Sequence, residues 1–386
     1  MLQDQPIRRS GPPRSSVPSH LDERTSERRS RSDVDGKLPL GRGRHRARGG
    51  GRTPGRCPRL WADQGYRCGS AARQPEGLAV DPEDGSIWSG SNRPNSAADV
   101  WHWAADSSLL ATYSLADHVP AQHGVNGIAL DGDGRVYALD YSGARAVRID
   151  PATGTQTVYA TFADLPNCAG TAGNPCEPSP VDRPAWPNWA TFAPDGTMYV
   201  SDLNQATIWK VPSGGGAAEI WYQNAEFASI HGVNGKQFDA AGRLNFVVTM
   251  SLVPRVESFG RVVVHRLSAT PGGTPGALEA VAVASQGDGS AIGSSGRIYL
   301  PIANPLYNAV EVVDPDTRSV VASLPTPVES ITRSIPYSTP ASVAFRGTSL
   351  IVSNHGLLAI DPHQWAILEL GVGETGLPLH YPVGVA

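Results

Sequence analysis

The strongest constraint on this chain is a short pattern that recurs along its length. A Pro-, Gly- or Asn-containing approach leads into about four apolar residues, a tight turn and a second apolar strand. Pro75-Glu76-Gly77 leads into Leu78–Val80, a turn at Asp84-Gly85 and Ile87-Trp88. Val125-Asn126-Gly127 leads into Ile128–Leu130, a turn at Asp133-Gly134 and Val136–Leu139. Pro187-Asn188-Trp189 leads into Ala190–Phe192, a turn at Asp195-Gly196 and Met198–Val200. Val233-Asn234-Gly235 leads to a strand around Phe238, a turn at Ala241-Gly242 and Leu244–Val248. Gly287-Asp288-Gly289 leads into Ala291-Ile292, a turn at Ser295-Gly296 and Ile298–Leu300. Thr339-Pro340-Ala341 leads into Val343–Phe345, a turn at Gly347 and Leu350–Val352. From Glu76 through Asn126, Asn188 and Asn234 to Asp288 the steps are 50, 62, 46 and 54 residues.

A repeat of about 50 residues made of short strands is the mark of a propeller blade. The units lack 3.6-residue periodicity, which excludes a helical solenoid. His123-Gly-Val-Asn-Gly127 returns as His231-Gly-Val-Asn-Gly235 two units later. Outer strands recur as well: Ala146–Ile149 and Val158–Ala160 flank Asp150-Pro-Ala-Thr-Gly154, and Val310–Val313 and Val320–Leu324 flank Asp314-Pro-Asp-Thr317. The expected fold is an all-β, six-bladed β-propeller over residues 61–386, preceded by a basic tail over residues 1–60 that is expected to be disordered. The composition agrees: 42 Gly and 33 Pro, with lysine almost absent, suit turn-rich β structure.

Charge divides at the same boundary. Residues 1–60 hold 15 of the 32 Lys and Arg but 6 of the 36 Asp and Glu, a local charge of +9. The tail has too few large apolar residues to offset the entropy of ordering, and is read as dispensable or as sequence upstream of the true start, with a nucleic-acid- or anion-binding arm as the functional alternative. The remaining body carries -13. An acidic body suits a cation or a neutral small molecule and not nucleic acid, which demands clustered positive charge. No apolar run long enough for a signal h-region or a membrane span occurs.

Of four cysteines, Cys168 and Cys176 bracket a Gly/Asn/Pro loop within the longest step, where an insertion between blades is expected. The spacing suits a local disulfide, and no CxxC or histidine partner points to metal. A disulfide belongs to an oxidising compartment. The chain is therefore expected to be soluble, and exported if its true start differs.

In a propeller the first strand of each blade lines the central channel, so residues opening those strands converge on one mouth. Here they are Glu76, Asn126, Asn188, Asn234, Asp288 and a neutral sixth. Asp or Asn before Gly is an ordinary turn residue, and each alone is weak. Together they offer two carboxylates and several amide carbonyls, hard donors that suit Ca²⁺ best, with Mg²⁺, Mn²⁺ or Zn²⁺ as other divalent cations. Two carboxylates half-buried side by side are costly without a cation.

With these residues in place, the chain resembles the senescence-marker-protein/gluconolactonase family of six-bladed propellers, related to the paraoxonases. The resemblance spans roughly residues 70–386 and is carried by motifs. It implies a divalent metal at the channel mouth held by Glu76, from the Glu-Gly motif, with Asn188, Asn234 and Asp288. The sequence departs at Asn188-Trp189-Ala190, where family members often have Asn-Asp-Gly, and at Trp186, where some place an arginine for an acidic sugar. The tryptophans point to a more apolar ligand or to packing.

The activity implied is hydrolysis of a small lactone or related ester, with the metal as Lewis acid. Asp288 would accept a proton from the attacking water. His231 or His123, three residues before Asn234 and Asn126, is the other possible base. A non-catalytic binding module with a structural metal is the reading from a different class. A strictosidine-synthase-like enzyme would be favoured by a catalytic glutamate in the late blades; Glu329 lies near there, but in a Pro-rich connection. Gly214-Gly-Gly216 lacks the Lys-Ser/Thr of a phosphate loop, and neither Gly-x-Ser-x-Gly nor His-Glu-x-x-His occurs.

Overall fold

A strand covered on both faces has no reason to alternate apolar and polar residues, whereas an outermost strand does. Each repeat shows this gradient. Val125–Leu130 is buried at every residue, while Leu109–Ser114 is mostly exposed or half-exposed. The structure, a computed structural model, describes residues 74–170, 175–250, 261–268, 273–304, 307–326, 328–329, 333–357 and 361–385, with strand segments 59–60 and 65–66. The rest of the basic tail lies outside the described residues.

Two short strands come first, β1 (Arg59–Leu60) and β2 (Gly65–Tyr66). Blade 1 is β3 (Pro75–Val80), β4 (Ile87–Ser91), β5 (Asp99–Trp103) and β6 (Leu109–Ser114). Blade 2 is β7 (Val125–Leu130), β8 (Val136–Asp140), β9 (Arg145–Ile149) and β10 (Gln156–Thr161). Blade 3 is β11 (Pro187–Phe192), β12 (Met198–Asp202), β13 (Thr207–Val211) and β15 (Glu219–Gln223), with β14 (Gly216–Ala217) adding a parallel edge to β10. Blade 4 is β16 (Val233–Phe238), β17 (Leu244–Val248), β18 (Val262–Leu267) and β19 (Leu278–Ala284). Blade 5 is β20 (Ala291–Ile292), β21 (Ile298–Asn304), β22 (Tyr307–Asp314) and β23 (Ser319–Leu324). Blade 6 is β24 (Pro340–Arg346), β25 (Ser349–Asn354) and β26 (Ala366–Gly371). Its outer edge is completed by β2, Gly65 pairing with Leu368 and Tyr66 with Ile367. The fold is the expected six-bladed propeller.

The blades are joined by six apolar clusters, one between each neighbouring pair, including a cluster of Leu78, Ile87, Trp101, Ile351 and Ile367 that joins blade 6 to blade 1. The hairpin turns are those expected: Gly85, Gly134, Gly196, Gly242, Gly296 and Gly347 all have positive φ, which a residue without Cβ adopts freely. Cys168 and Cys176 form a disulfide in the insertion between β10 and β11, with Cα atoms 4.9 Å apart.

The start of each inner strand holds one extra residue. Pro75 pairs with Ser91, yet Leu78 pairs with Ser89, which leaves Glu76 and Gly77 opposite one residue. The same offset follows Val125, Pro187, Val233 and Pro340, and Gly287 to Ala291 spans four residues against three in Ile302 to Tyr299. Such bulges bend the strand and re-aim a side chain. The residues ahead of glycine here sit in these bulges, not in turns. The glycines serve close approach: a Cβ on Gly127 would lie 2.3 Å from the Asn188 carbonyl oxygen, and one on Gly235 2.3 Å from the Ser290 nitrogen. Gly127→Ala therefore should cost about 1–3 kcal/mol through forced backbone shifts. Gly371→Ala, whose Cβ would meet nothing within 4 Å, should stay within about 0.5 kcal/mol. Denaturant titration of the two variants checks this.

Candidate functional site at the channel mouth

The bulges fix which side chains meet. Glu76, Asn126, Asn188, Asn234, Asp288 and Ala341 occupy the same bulge in blades 1 to 6. Ser353 Oγ donates to the Glu76 carbonyl at 2.8 Å, and Gly289 N donates to the Ala341 carbonyl at 2.7 Å, tying neighbouring inner strands together around the ring. Glu76, Asn126, Asn188 and Asn234 are buried, while Asp288 is partly exposed toward solvent.

Burial, then the charge of Asp288, holds the Glu76 carboxyl well above its ordinary range, with the Asn92 amide pulling the other way. Burial also raises the Asp288 carboxyl, offset in part by hydrogen bonds from the Asn234 side chain and the Gly289 N–H. The two carboxyls are thus near enough for the charge of Asp288 to act on Glu76, and Asn234 stands beside Asp288. Asn234 Nδ2 donates to Thr249 Oγ1 at 3.0 Å. The Oδ1 atoms of Asn234 and Asn126 are buried without a hydrogen-bond partner among the described residues. A buried carbonyl oxygen left unpaired costs about 1–3 kcal/mol, so the ring carries two such penalties besides its charge repulsion. A hard cation would relieve all of them, and the donor chemistry fits one. Among the described residues no cluster of three or more His, Cys, Asp or Glu side chains is positioned to hold a metal. The ring has two carboxylates, and the remaining donors are amides.

Other buried acids nearby are saturated. Asp140 accepts from Ser142 N and Oγ and from Arg145 Nε at 2.9 Å. Asp202 accepts from Asn204 N, Gln205 N, Gln205 Nε2 and Trp209 Nε1. These acids close their own loops. Glu329 is exposed, and its carboxylate accepts from Thr326 N and Oγ1 at 2.9 and 2.8 Å, so it organises its own turn.

Two participants escaped the sequence reading. Asn92, one residue beyond β4, donates to Glu76 Oε2 and accepts from Gly124 N at 3.1 Å. His355, one residue beyond β25, places Nδ1 3.5 Å from Glu76 Oε2, and its Nε2 is buried without a partner among the described residues. Burial, helped by the charge of His123, lowers the His355 pKa to about 3, so its imidazole is neutral. Both lie one residue past the partner of the strand-opening residue. Pairing register could have located them, but no recurring motif marks them.

The two histidines read as possible bases are both part-buried. His123 Nδ1 lies 3.2 Å from both the Asn92 carbonyl and Asn92 Oδ1. His231 is depressed by burial, by the Arg183 charge and by His123. Among the described residues no hydrogen bond links His231 to Asp288. The tryptophans divide. Trp186 packs against Tyr141, with ring centroids 4.3 Å apart, and against His123 at 5.2 Å, forming an aromatic wall at the mouth. Trp189 points into the channel, its ring so close to Gly289 that a Cβ there would lie 2.2 Å away. On the same strand as Asn234, Lys236 is fully buried, and burial alone lowers its pKa.

No family model matches the sequence, and no curated protein matches it at the sequence level. Solved structures do match in fold. A regucalcin from Agrobacterium tumefaciens, described as a calcium-binding protein, superposes with a TM-score of 0.56 at 18% identity, over 83% of this chain and 97% of that one. A gluconolactonase from Xanthomonas campestris gives a TM-score of 0.51 at 16% identity, over 78% and 86%. A luciferin-regenerating enzyme gives 0.51 at 13% identity, over 79% and 94%. The structural neighbours of this chain thus include six-bladed propellers of the gluconolactonase and regucalcin kind.

The repulsion across the ring yields a prediction of sign. With chelator present, Glu76→Gln should raise the melting temperature by removing one of two repelling charges, and it should reduce the stabilisation that added Ca²⁺ gives the wild type. Calorimetry with and without chelator measures both.

Proposed function

We propose that the chain is a divalent-cation-dependent hydrolase of lactones or related carboxylic esters, working at the mouth ringed by Glu76, Asn188, Asn234 and Asp288. The observation that carries this reading is the pairing of two repelling carboxylates, Glu76 buried and Asp288 half-buried, with orphaned amide oxygens, in a propeller whose fold neighbours include a gluconolactonase and a calcium-binding protein. A bound cation, Ca²⁺ by the hardness of the donors, would polarise the carbonyl and stabilise the oxyanion.

The protein's own groups divide the remaining work. Asp288 is the more exposed carboxylate and takes the proton of the attacking water, its side chain oriented by Asn234. Glu76 is held deeper by Asn92 and His355 and keeps the ring's charge in place. Tyr141, Trp186 and His123 offer a flat wall to the substrate ring. With Trp186 where relatives place an arginine, the preferred substrate is an uncharged lactone. His231, beside Arg183, is a second base candidate that the variants below separate from Asp288. The Cys168–Cys176 bond supports placement in an oxidising compartment.

The test is hydrolysis of a panel of γ- and δ-lactones followed by proton release. Turnover should stop with chelator and return with Ca²⁺. Asp288→Ala should lose about 10²-fold or more in kcat, the scale of a general base, while His231→Gln should retain most of it. A larger loss in His231→Gln with Ca²⁺ binding intact would move the base to that histidine. If no lactone turns over while Ca²⁺ still raises the melting temperature, the site is a structural metal in a binding module.

A further inference from the structure

A cavity lies away from the mouth. It encloses about 580 Å³ farther along the same inner strands, bounded by Leu78, Ile128, Phe192, Ile292 and Val343. The C-terminal segment covers it as a strap. Leu377 N donates to the Ile292 carbonyl at 2.8 Å on blade 5, and the Pro382 carbonyl accepts from Gly132 N at 2.8 Å on blade 2. Gly384 N adds a bond to Asp133 Oδ2 at 2.8 Å. Trp189 and Lys236 also line this cavity.

Lys236 is the anomaly. The chain has three lysines and uses arginine almost everywhere else, yet one of the three is 1% exposed in the channel. Its Nζ donates to the Trp189 carbonyl. No carboxylate of the described residues forms an ion pair with it. A terminal amine has up to three donors, and a buried cationic group without a counter-charge is costly. Gln237, next along the strand, is engaged elsewhere: Oε1 accepts from Ile292 N at 3.0 Å, and Nε2 donates to the Leu377 carbonyl at 3.4 Å. The cavity therefore combines apolar walls, a volume in the range that holds small organic ligands, and one buried donor with unused capacity.

We propose that this cavity is a second binding site, separate from the mouth, for a small apolar monocarboxylate whose carboxylate is seated on Lys236 and whose hydrocarbon part lies against the inner strands beneath the strap. The strap forms one wall of the cavity, so the hydrocarbon part packs between it and the inner strands. This inference does not depend on the hydrolase reading.

The test uses the full chain and isothermal titration with octanoate and decanoate, with decanol and decylamine as head-group controls. Decanoate should bind with one-to-one stoichiometry and at least about tenfold more tightly than decanol, the loss expected for one charge-assisted hydrogen bond. Decylamine should not bind. Lys236→Met should bring decanoate down to the affinity of decanol. Ala344→Phe, which adds bulk to the cavity wall, should weaken both and serves as the second variant if Lys236→Met does not fold. Equal affinity for decanoate and decanol in the wild type would overturn the proposal, as would an absence of binding or undiminished decanoate binding in either variant.

Discussion

The close approach of six inner strands around one axis governs everything else in this protein. Glycines at 77, 127 and 235 let backbone meet backbone where a Cβ would lie within 3 Å of the next strand. That contact sets the radius of the ring, and the radius sets how near the oxygen donors of different blades come to one another. The apolar clusters between blades then hold the radius fixed. Because interiors are close-packed and deform little, the mouth is pre-organised by the core and needs no loop to assemble it.

Against that frame, polar groups near the axis fall into two kinds. Asp140 and Asp202 have their lone pairs filled by amides, an arginine or an indole, and they shape loops. Glu76, Asp288, Asn126 and Asn234 are left with repulsion or vacant lone pairs. Saturation marks the structural acid, and deficit marks the group prepared for something else. Lys236 belongs with the second kind, as a buried donor with one acceptor and unused capacity.

The sequence made the propeller legible because each blade repeats its turn chemistry: the Asp-Gly and Gly turns stand where they were expected, and their glycines have positive φ. The convergence of Glu76, Asn126, Asn188, Asn234 and Asp288 was also legible, since equal register in repeated units means equal place around the axis. The bulge was not, because one extra residue in pairing leaves no mark in a single strand. Asn92 and His355 were missed for a related reason: they enter the site from the second strands, where Tyr141 and Leu203 hold the corresponding place in blades 2 and 3. The sixth blade looked neutral from Ala341, yet it supplies His355 from the neighbouring strand. The outer edge of that blade is built from Gly65 and Tyr66, and so short a pairing carries no sequence pattern of its own.

That last pairing bears on how the molecule is made. The strand that completes blade 6 leaves the ribosome before any of the blades, and the strand it must join, Ala366–Gly371, leaves after nearly all of them. Blades 1 to 5 contain their own partners and can form in order as they emerge. The circle cannot close until translation is almost over, and until then β2, paired only with β1, must wait for its partner in blade 6 while blades 1 and 5 each lack a neighbour. A nascent chain of this design is therefore most open to wrong pairing in the interval before its final residues appear.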